Sequence, residues 1–177
     1  NEKNSDARTN LASLYFRSGK YEDATREYLK VLEDLVYKHQ YRVYYGLALI
    51  SLERKRPLEA RKYLQKSIEE KEDYCAAHFK LGELAKEAYH YNEAYKRFKL
   101  ASQGTCFQEP RPHYEQALTL MQMRDFKKAH AKLKEIIEMF PKSSYSEMAT
   151  KEIKKIKKSI LSRSKFNKNS NFRSPSF

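Results

Sequence analysis

The stretch Gly19-Lys20-Tyr21-Glu22-Asp23-Ala24 decides the fold, because its pattern returns three times along the 177-residue chain. The matching stretches are Arg56-Pro57-Leu58-Glu59-Ala60, Tyr89-His90-Tyr91-Asn92-Glu93-Ala94 and Arg124-Asp125-Phe126-Lys127-Lys128-Ala129. Their final alanines follow one another at intervals of 36, 34 and 35 residues. A constant period of this length indicates a stack of small supersecondary units.

A second column of small residues lies twelve positions before each alanine. Its members are Ala12, Ala48, Gly82 and Ala117. Two antiparallel helices approach closely only where one side chain is small and a large partner fills the space. The expected fillers lie four residues after each alanine: Tyr28, Leu64, Phe98 and Leu133. We therefore predict four units of helix, turn and helix, over residues 5–38, 41–74, 75–108 and 110–143.

This spacing resembles the tetratricopeptide repeat. Leu11-Ala12, Tyr15, Ala24 and Tyr28 match its pattern, and Pro141 stands where the repeat closes. The sequence departs from the pattern where the repeat usually has Trp, at Arg8, Tyr44, His78 and His113. The resemblance covers about 140 residues. It implies an all-α, right-handed solenoid of about four hairpins over residues 1–143, and a protein that binds other proteins without catalysis.

The two ends of the chain differ in composition. The chain opens at Asn1 without an initiator Met, and we expect it to be trimmed, so its start does not reveal the compartment. Ser143 and Ser144 precede an apolar stripe over residues 145–160, which predicts a capping helix over residues 144–161. Residues 162–177 are rich in Ser, Asn and Lys and are predicted to be a basic flexible tail.

Positive charge concentrates at the C-terminal end. The net charge of the whole chain is +13, and residues 151–177 carry nine Lys or Arg against Glu152 alone, a net of +8. Such a lysine-rich helix and tail could follow nucleic-acid phosphates or anionic lipid headgroups. An adaptor to nucleic acid or to an anionic membrane surface is therefore the alternative function, although few aromatic residues alternate with the lysines.

No catalytic residues, resident metal or cofactor are predicted. The five histidines show no i, i+4 pair, and neither a glycine-rich phosphate loop nor a nucleophile elbow is present. One group leaves a zinc alternative open, since Cys75, His78, Cys106 and His113 fall toward one edge of the array. The pattern does not decide whether Cys75 and Cys106 are free or joined.

The first helices of such an array line a concave groove, and one stripe of each first helix faces it. The predicted partner-binding residues are Phe16, Arg42, Tyr45, Leu49, Leu52, Phe79, Lys80, Arg111, Tyr114, Leu118 and Met121. Their character suits an apolar helix or an extended apolar segment of another protein, and no small-molecule substrate. Some relatives hold a C-terminal carboxylate with Lys and Asn, but Thr9, Ser13, Tyr45 and Leu49 occupy those places here.

A narrower resemblance concerns the connection after the third unit. The residues Ala101-Ser102-Gln103-Gly104-Thr105-Cys106-Phe107-Gln108-Glu109-Pro110 are similar to a link in the type IV pilus pilotins. The stretch Phe140-Pro141-Lys142-Ser143-Ser144-Tyr145 is similar to envelope assembly lipoproteins. This resemblance implies a role in bacterial envelope or pilus assembly, through an apolar segment of a secretin. It favours the periplasm or the outer membrane over the cytoplasm, and it leaves the partner and the oligomeric state open.

Overall fold

A computed structural model describes the backbone of residues 2–170 and the side chains of residues 4–158. Every regular element within this range is helical. The α-helices are α1 (Glu2–Arg17), α2 (Tyr21–Leu32), α3 (Gln40–Glu53), α4 (Pro57–Glu70), α5 (Cys75–Glu87), α6 (Tyr91–Ala101), α7 (Pro110–Gln122), α8 (Phe126–Met139) and α9 (Ser144–Ser170). Each of the four predicted units contains one pair of helices, so the all-α fold class is confirmed.

The turns inside the hairpins share one backbone conformation. Gly19, Lys55, Tyr89 and Arg124 occupy equivalent positions, and each has a positive φ between 58° and 73°. The residue after each of them donates its N–H to the carbonyl five residues back, as Lys20 does to Tyr15 at 2.9 Å. This hydrogen bond closes a Schellman motif, which satisfies a free carbonyl at the end of the first helix.

The chain divides into two compact units, residues 1–107 and residues 108–177. The first unit contains three hairpins, and its small-residue columns lie in the core as the period predicts. Ala12, Ala24, Ala48, Ala60 and Ala94 are all fully buried. In the third hairpin the small residue is Gly82, against which the ring of the buried Phe98 packs.

A disulfide joins Cys75 to Cys106 in this first unit. Cys75 begins α5, and Cys106 ends a short 3-10 helix, Gly104–Cys106, that follows α6. The two Cα atoms are 6.3 Å apart, within the range that a disulfide spans. The bond therefore links the two ends of the third hairpin.

The second unit contains the hairpin of α7 and α8 together with α9. The predicted capping stripe faces inward: Ala149 and Ile156 are buried, and Tyr145 and Ile153 are half-buried. Helix α9 continues to Ser170, nine residues past the predicted end at 161, because the sequence offers no Gly or Pro before Pro175. The predicted tail lies outside the described residues from 171 onward.

No described helix has the length and apolar character that crossing a bilayer requires.

Candidate partner-binding site

A pocket of about 170 Å³ lies between α1 and α3 in the first unit, and we call it the α1–α3 pocket. Its walls come from the first helices of two successive hairpins, with one side chain from α2 and one from the residue before α5. The lining residues are Thr9, Ser13, Phe16, Tyr28, Arg42, Tyr45, Gly46, Leu49 and Tyr74.

The absence of a side chain at Gly46 shapes this pocket. A Cβ atom built there would lie 2.3 Å from Cζ and 2.5 Å from the hydroxyl oxygen of Tyr28, closer than atoms tolerate. The Tyr28 ring therefore crosses the surface of α3 only because residue 46 is glycine. This contact brings Tyr28 to the α1–α3 pocket, while the residue also belongs to the buried cluster of Ala12 and Ala24 in its own hairpin.

Tyr74 lines the pocket and packs against two other tyrosine rings. Its ring centroid lies 4.8 Å from that of Tyr41 and 5.4 Å from that of Tyr45, both in edge-to-face geometry. Burial, with smaller contributions from Tyr45 and Tyr41, raises the pKa of Tyr74 to about 12. Burial also raises the pKa of Tyr28. Both phenols therefore stay protonated at neutral pH and keep a hydroxyl donor.

The polar groups of the pocket favour an anionic group of a binding partner. Arg42 is exposed at its rim, and no carboxylate is among the lining residues. Within the described part of the chain, Arg42 forms no ion pair through its side chain. Hydroxyls of Thr9, Ser13 and Tyr28 add polar contacts, although that of Thr9 already donates to the Ser5 carbonyl at 2.8 Å. A partner with an apolar side chain and an adjacent carboxylate fits these contacts.

The structure brings four of the predicted binding residues together at this pocket: Phe16, Arg42, Tyr45 and Leu49. Two others, Leu52 and Phe79, are half-buried against the cores of the second and third hairpins. Lys80 is half-buried and forms an ion pair of 2.7 Å with Glu83, which reduces its availability to a partner.

The remaining four predicted residues lie in the second unit. Arg111 is exposed, and Leu118 and Met121 are half-buried. The expectation of an exposed ring at Tyr114 is wrong, because this residue is only 5% exposed. The ring of Tyr145 at the start of α9 packs against it, with centroids 5.5 Å apart. Tyr114 is therefore a core residue of the second unit.

Sequence reasoning missed three pocket residues. Tyr28 was expected only as a filler within its hairpin, and Gly46 and Tyr74 were not expected at the site. A signal for Gly46 did exist, since a glycine two residues before the small residue Ala48 places two close-approach positions in one helix. No equivalent signal marks Tyr74, which reaches the pocket from the start of the next hairpin.

The zinc alternative is wrong, because the disulfide takes up the sulfur atoms of both Cys75 and Cys106. The two histidines fill the places where the repeat usually has Trp. His78 is buried, its Nε2 lies 2.8 Å from the Glu72 carbonyl oxygen, and burial lowers its pKa. His113 is buried against the ring of Phe140, at 5.4 Å between centroids.

The basic face of α9 is exposed to solvent. Lys151, Lys154, Lys157 and Lys158 are exposed, and Lys155 pairs with Glu152 at 2.7 Å. The aromatic residues of the predicted tail, which would be needed to judge stacking on bases, lie outside the residues with described side chains. The adaptor alternative therefore stays a prediction.

The chain resembles helical-repeat proteins of known sequence and structure. A family model described as "Tetratricopeptide repeat" matches residues 4–74. The type IV pilus assembly protein PilF of Pseudomonas aeruginosa is 26% identical over 102 residues, which is 58% of this chain and 40% of PilF. The chain thus spans about two fifths of the length of that relative.

Solved structures share the fold at low sequence identity. The Pseudomonas aeruginosa PilF structure has a TM-score of 0.67 at 20% identity, covering 84% of this chain and 67% of PilF. PilW, described as a widely conserved type IV pilus biogenesis factor, has a TM-score of 0.68 at 15% identity, covering 82% and 67%. YrrB, described as having an unusual peptide-binding site, has a TM-score of 0.64 at 20% identity, covering 83% and 74%.

Proposed function

We propose that the chain acts like the tetratricopeptide-repeat proteins that it resembles, as a non-catalytic scaffold that holds a segment of another protein in its α1–α3 pocket. Proteins of this family generally act as protein-interaction scaffolds. The bound segment presents a large apolar side chain to Phe16, Tyr45 and Leu49 and an adjacent carboxylate to Arg42.

The α1–α3 pocket is the observation that carries this proposal. Tyr28, Tyr45 and Tyr74 bring three rings to a single depression, and large aromatic side chains are frequent anchors of binding energy. The exposed guanidinium of Arg42 supplies a positive charge beside those rings. An apolar anchor with an acidic neighbour therefore gains both buried area and a charge-assisted hydrogen bond.

We further propose that this scaffold works in bacterial envelope or pilus assembly. The Cys75–Cys106 disulfide supports a compartment outside the cytoplasm, since structural disulfides persist in oxidising environments such as the periplasm. PilF and PilW, which share the fold, are described as a type IV pilus assembly protein and a pilus biogenesis factor. The Pro-containing link after the third hairpin adds the resemblance noted from the sequence.

Selection from a random 12-residue peptide library on the immobilised protein tests the proposed pocket. We expect the enriched peptides to share an apolar residue beside Asp or Glu. Their affinity, measured by fluorescence anisotropy, should fall by about 1–2 kcal/mol in Tyr45→Ala, roughly 5- to 30-fold. Arg42→Gln should lower the affinity for a peptide that contains Glu and leave unchanged the affinity for the same peptide with Gln in place of Glu.

Two control variants separate binding from folding. Lys96→Gln removes one exposed charge from α6, away from the pocket, and should leave the affinity unchanged. Leu47→Ala truncates a buried core residue, so it should lower the thermal midpoint far more than Arg42→Gln does. If the enriched peptides bind Tyr45→Ala and Arg42→Gln as tightly as the wild type, the partner does not bind in this pocket.

A further inference from the structure

A second cleft of about 620 Å³ lies between α4 and α6, and we call it the α4–α6 cleft. Its long wall is one face of α4 from Leu58 to Glu69, where the lining residues recur every three or four positions. The opposite wall carries Arg97 of α6. The cleft belongs to the second helices of two hairpins, whereas the α1–α3 pocket lies mainly between first helices.

Cations without a carboxylate partner converge on this cleft. Lys62 is exposed on the α4 face, and the ammonium of Lys66 lies 5.5 Å from the ring centroid of Tyr44. Nη1 of Arg97 lies 3.5 Å from Nδ1 of His78, and this imidazole ring carries no negative charge. Within the described residues, none of these three cations has a carboxylate at ion-pair distance. Elsewhere on second helices, neighbouring acids neutralise such cations, as Glu27 does Lys30 at 2.8 Å.

The acidic groups near the cleft leave its positive charge in excess. Arg61 is paired with Glu93 at 2.9 Å, and that pair cancels its own charge. Glu69 lines one end and is exposed. Lys62, Lys66 and Arg97 therefore outnumber Glu69, which is the one acidic residue among those that line the cleft. A cleft with low-dielectric walls concentrates such a field and favours an anionic ligand.

The apolar part of the cleft indicates what the ligand presents besides negative charge. Leu58 is 77% exposed at one end, and the buried Leu81 contributes to the floor. The face from Leu58 to Glu69 extends about 16 Å at 1.5 Å per residue, which matches roughly three turns of helix or five extended residues. A cleft of this length and of about 620 Å³ has room for a short peptide segment.

From this arrangement we infer that the α4–α6 cleft is a second protein-docking surface, which binds an acidic segment with an apolar residue between its carboxylates. Lys62 and Lys66 on one wall and Arg97 on the other contact the carboxylates, and the apolar residue packs against Leu58. The inference does not depend on the α1–α3 pocket, since the two sites share no lining residue.

A pair of synthetic peptides tests the inference. One is a labelled 11-residue peptide with glutamates on both sides of two central leucines, and its twin has glutamine at every glutamate position. Fluorescence anisotropy with the full chain should show at least tenfold tighter binding of the Glu peptide, weakening as NaCl rises from 50 to 200 mM. The double variant Lys62→Glu with Lys66→Glu should weaken that binding at least tenfold, and Arg97→Gln at least threefold.

A matched double variant controls for general electrostatic attraction. Lys96→Glu with Lys99→Glu makes the same change of charge on exposed positions of α6 that do not line the cleft, and should alter the affinity by less than threefold. An equal loss in this control would overturn the inference. The inference would also be overturned if Tyr45→Ala abolished binding of the Glu peptide and the double variant at Lys62 and Lys66 retained it. That result would assign the peptide to the α1–α3 pocket. Phosphatidylglycerol vesicles that bind more tightly than the Glu peptide, and are released by the Lys62 and Lys66 variant, would assign the surface to lipid.

Discussion

Replacing Gly82 by alanine tests the close packing on which the repeat depends. A Cβ atom at this position would lie 2.7 Å from both Cδ1 and Cε1 of Phe98, whereas carbon atoms in contact are about 3.5–4.0 Å apart. The ring must therefore retreat by about 1 Å, and Phe98 is fully buried. Overpacking of this kind costs about 1–3 kcal/mol, while alanine in place of glycine gains about 1 kcal/mol in a helix. We expect Gly82→Ala to lower the free energy of unfolding by about 1 kcal/mol.

A second substitution, based on another hairpin of the same chain, should relieve this clash. Ala48 and Leu64 belong to one buried cluster in the second hairpin, so Gly82→Ala together with Phe98→Leu recreates a combination that the protein already uses. In the Phe98→Leu background the added methyl group fills space, and the same substitution should become stabilising. The coupling energy, obtained from urea unfolding of all four proteins by circular dichroism, should be about 1–3 kcal/mol. Effects that add within about 0.5 kcal/mol would show that Gly82 and Phe98 do not pack as described.

Two further predictions concern stability. Replacing Cys75 and Cys106 by serine should lower the free energy of unfolding by about 4 kcal/mol, the loop-entropy value for a separation of 31 residues. A reductant should lower the urea midpoint of the wild type and leave that of the variant unchanged. A wild-type midpoint that does not move would refute a structural role for the disulfide. At the hairpin turns, Gly19→Ala should destabilise the protein by about 1 kcal/mol, because alanine disfavours a positive φ. Lys55→Gly should stabilise the protein by up to about 1 kcal/mol for the same reason. Thermal midpoints that move in the same direction in the two variants would contradict the shared turn conformation.

The period of small residues was sufficient to predict the hairpins, because close approach of two helices is a local requirement. Ala24 and Tyr28 lie on one helix and Ala12 on its partner, so a single repeat contains all the information needed to match them. The same holds for the inward stripe of α9. The turns were less visible, since Lys55 and Tyr89 adopt a left-handed conformation that sequence alone would assign to glycine.

The site was only partly predictable, because exposure depends on neighbours that the period does not describe. Tyr114 occupies a groove position of its repeat, but Tyr145 from the capping helix covers it. Tyr74 joins the pocket from outside the helix pair that forms its walls. The pairing of Cys75 with Cys106 likewise follows from the placement of the 3-10 helix after α6, which the sequence pattern left undecided.

The disulfide also determines how the chain transmits mechanical force. Tension along the backbone enters the third hairpin at Cys75 and leaves at Cys106 through the sulfur atoms, across Cα atoms only 6.3 Å apart. The roughly 100 Å of extended chain between them is therefore withheld from any stretching of the molecule. If a partner pulls on a scaffold of this kind, only the chain outside residues 75–106 can lengthen. The hairpin of α5 and α6 carries no load as long as the bond is oxidised.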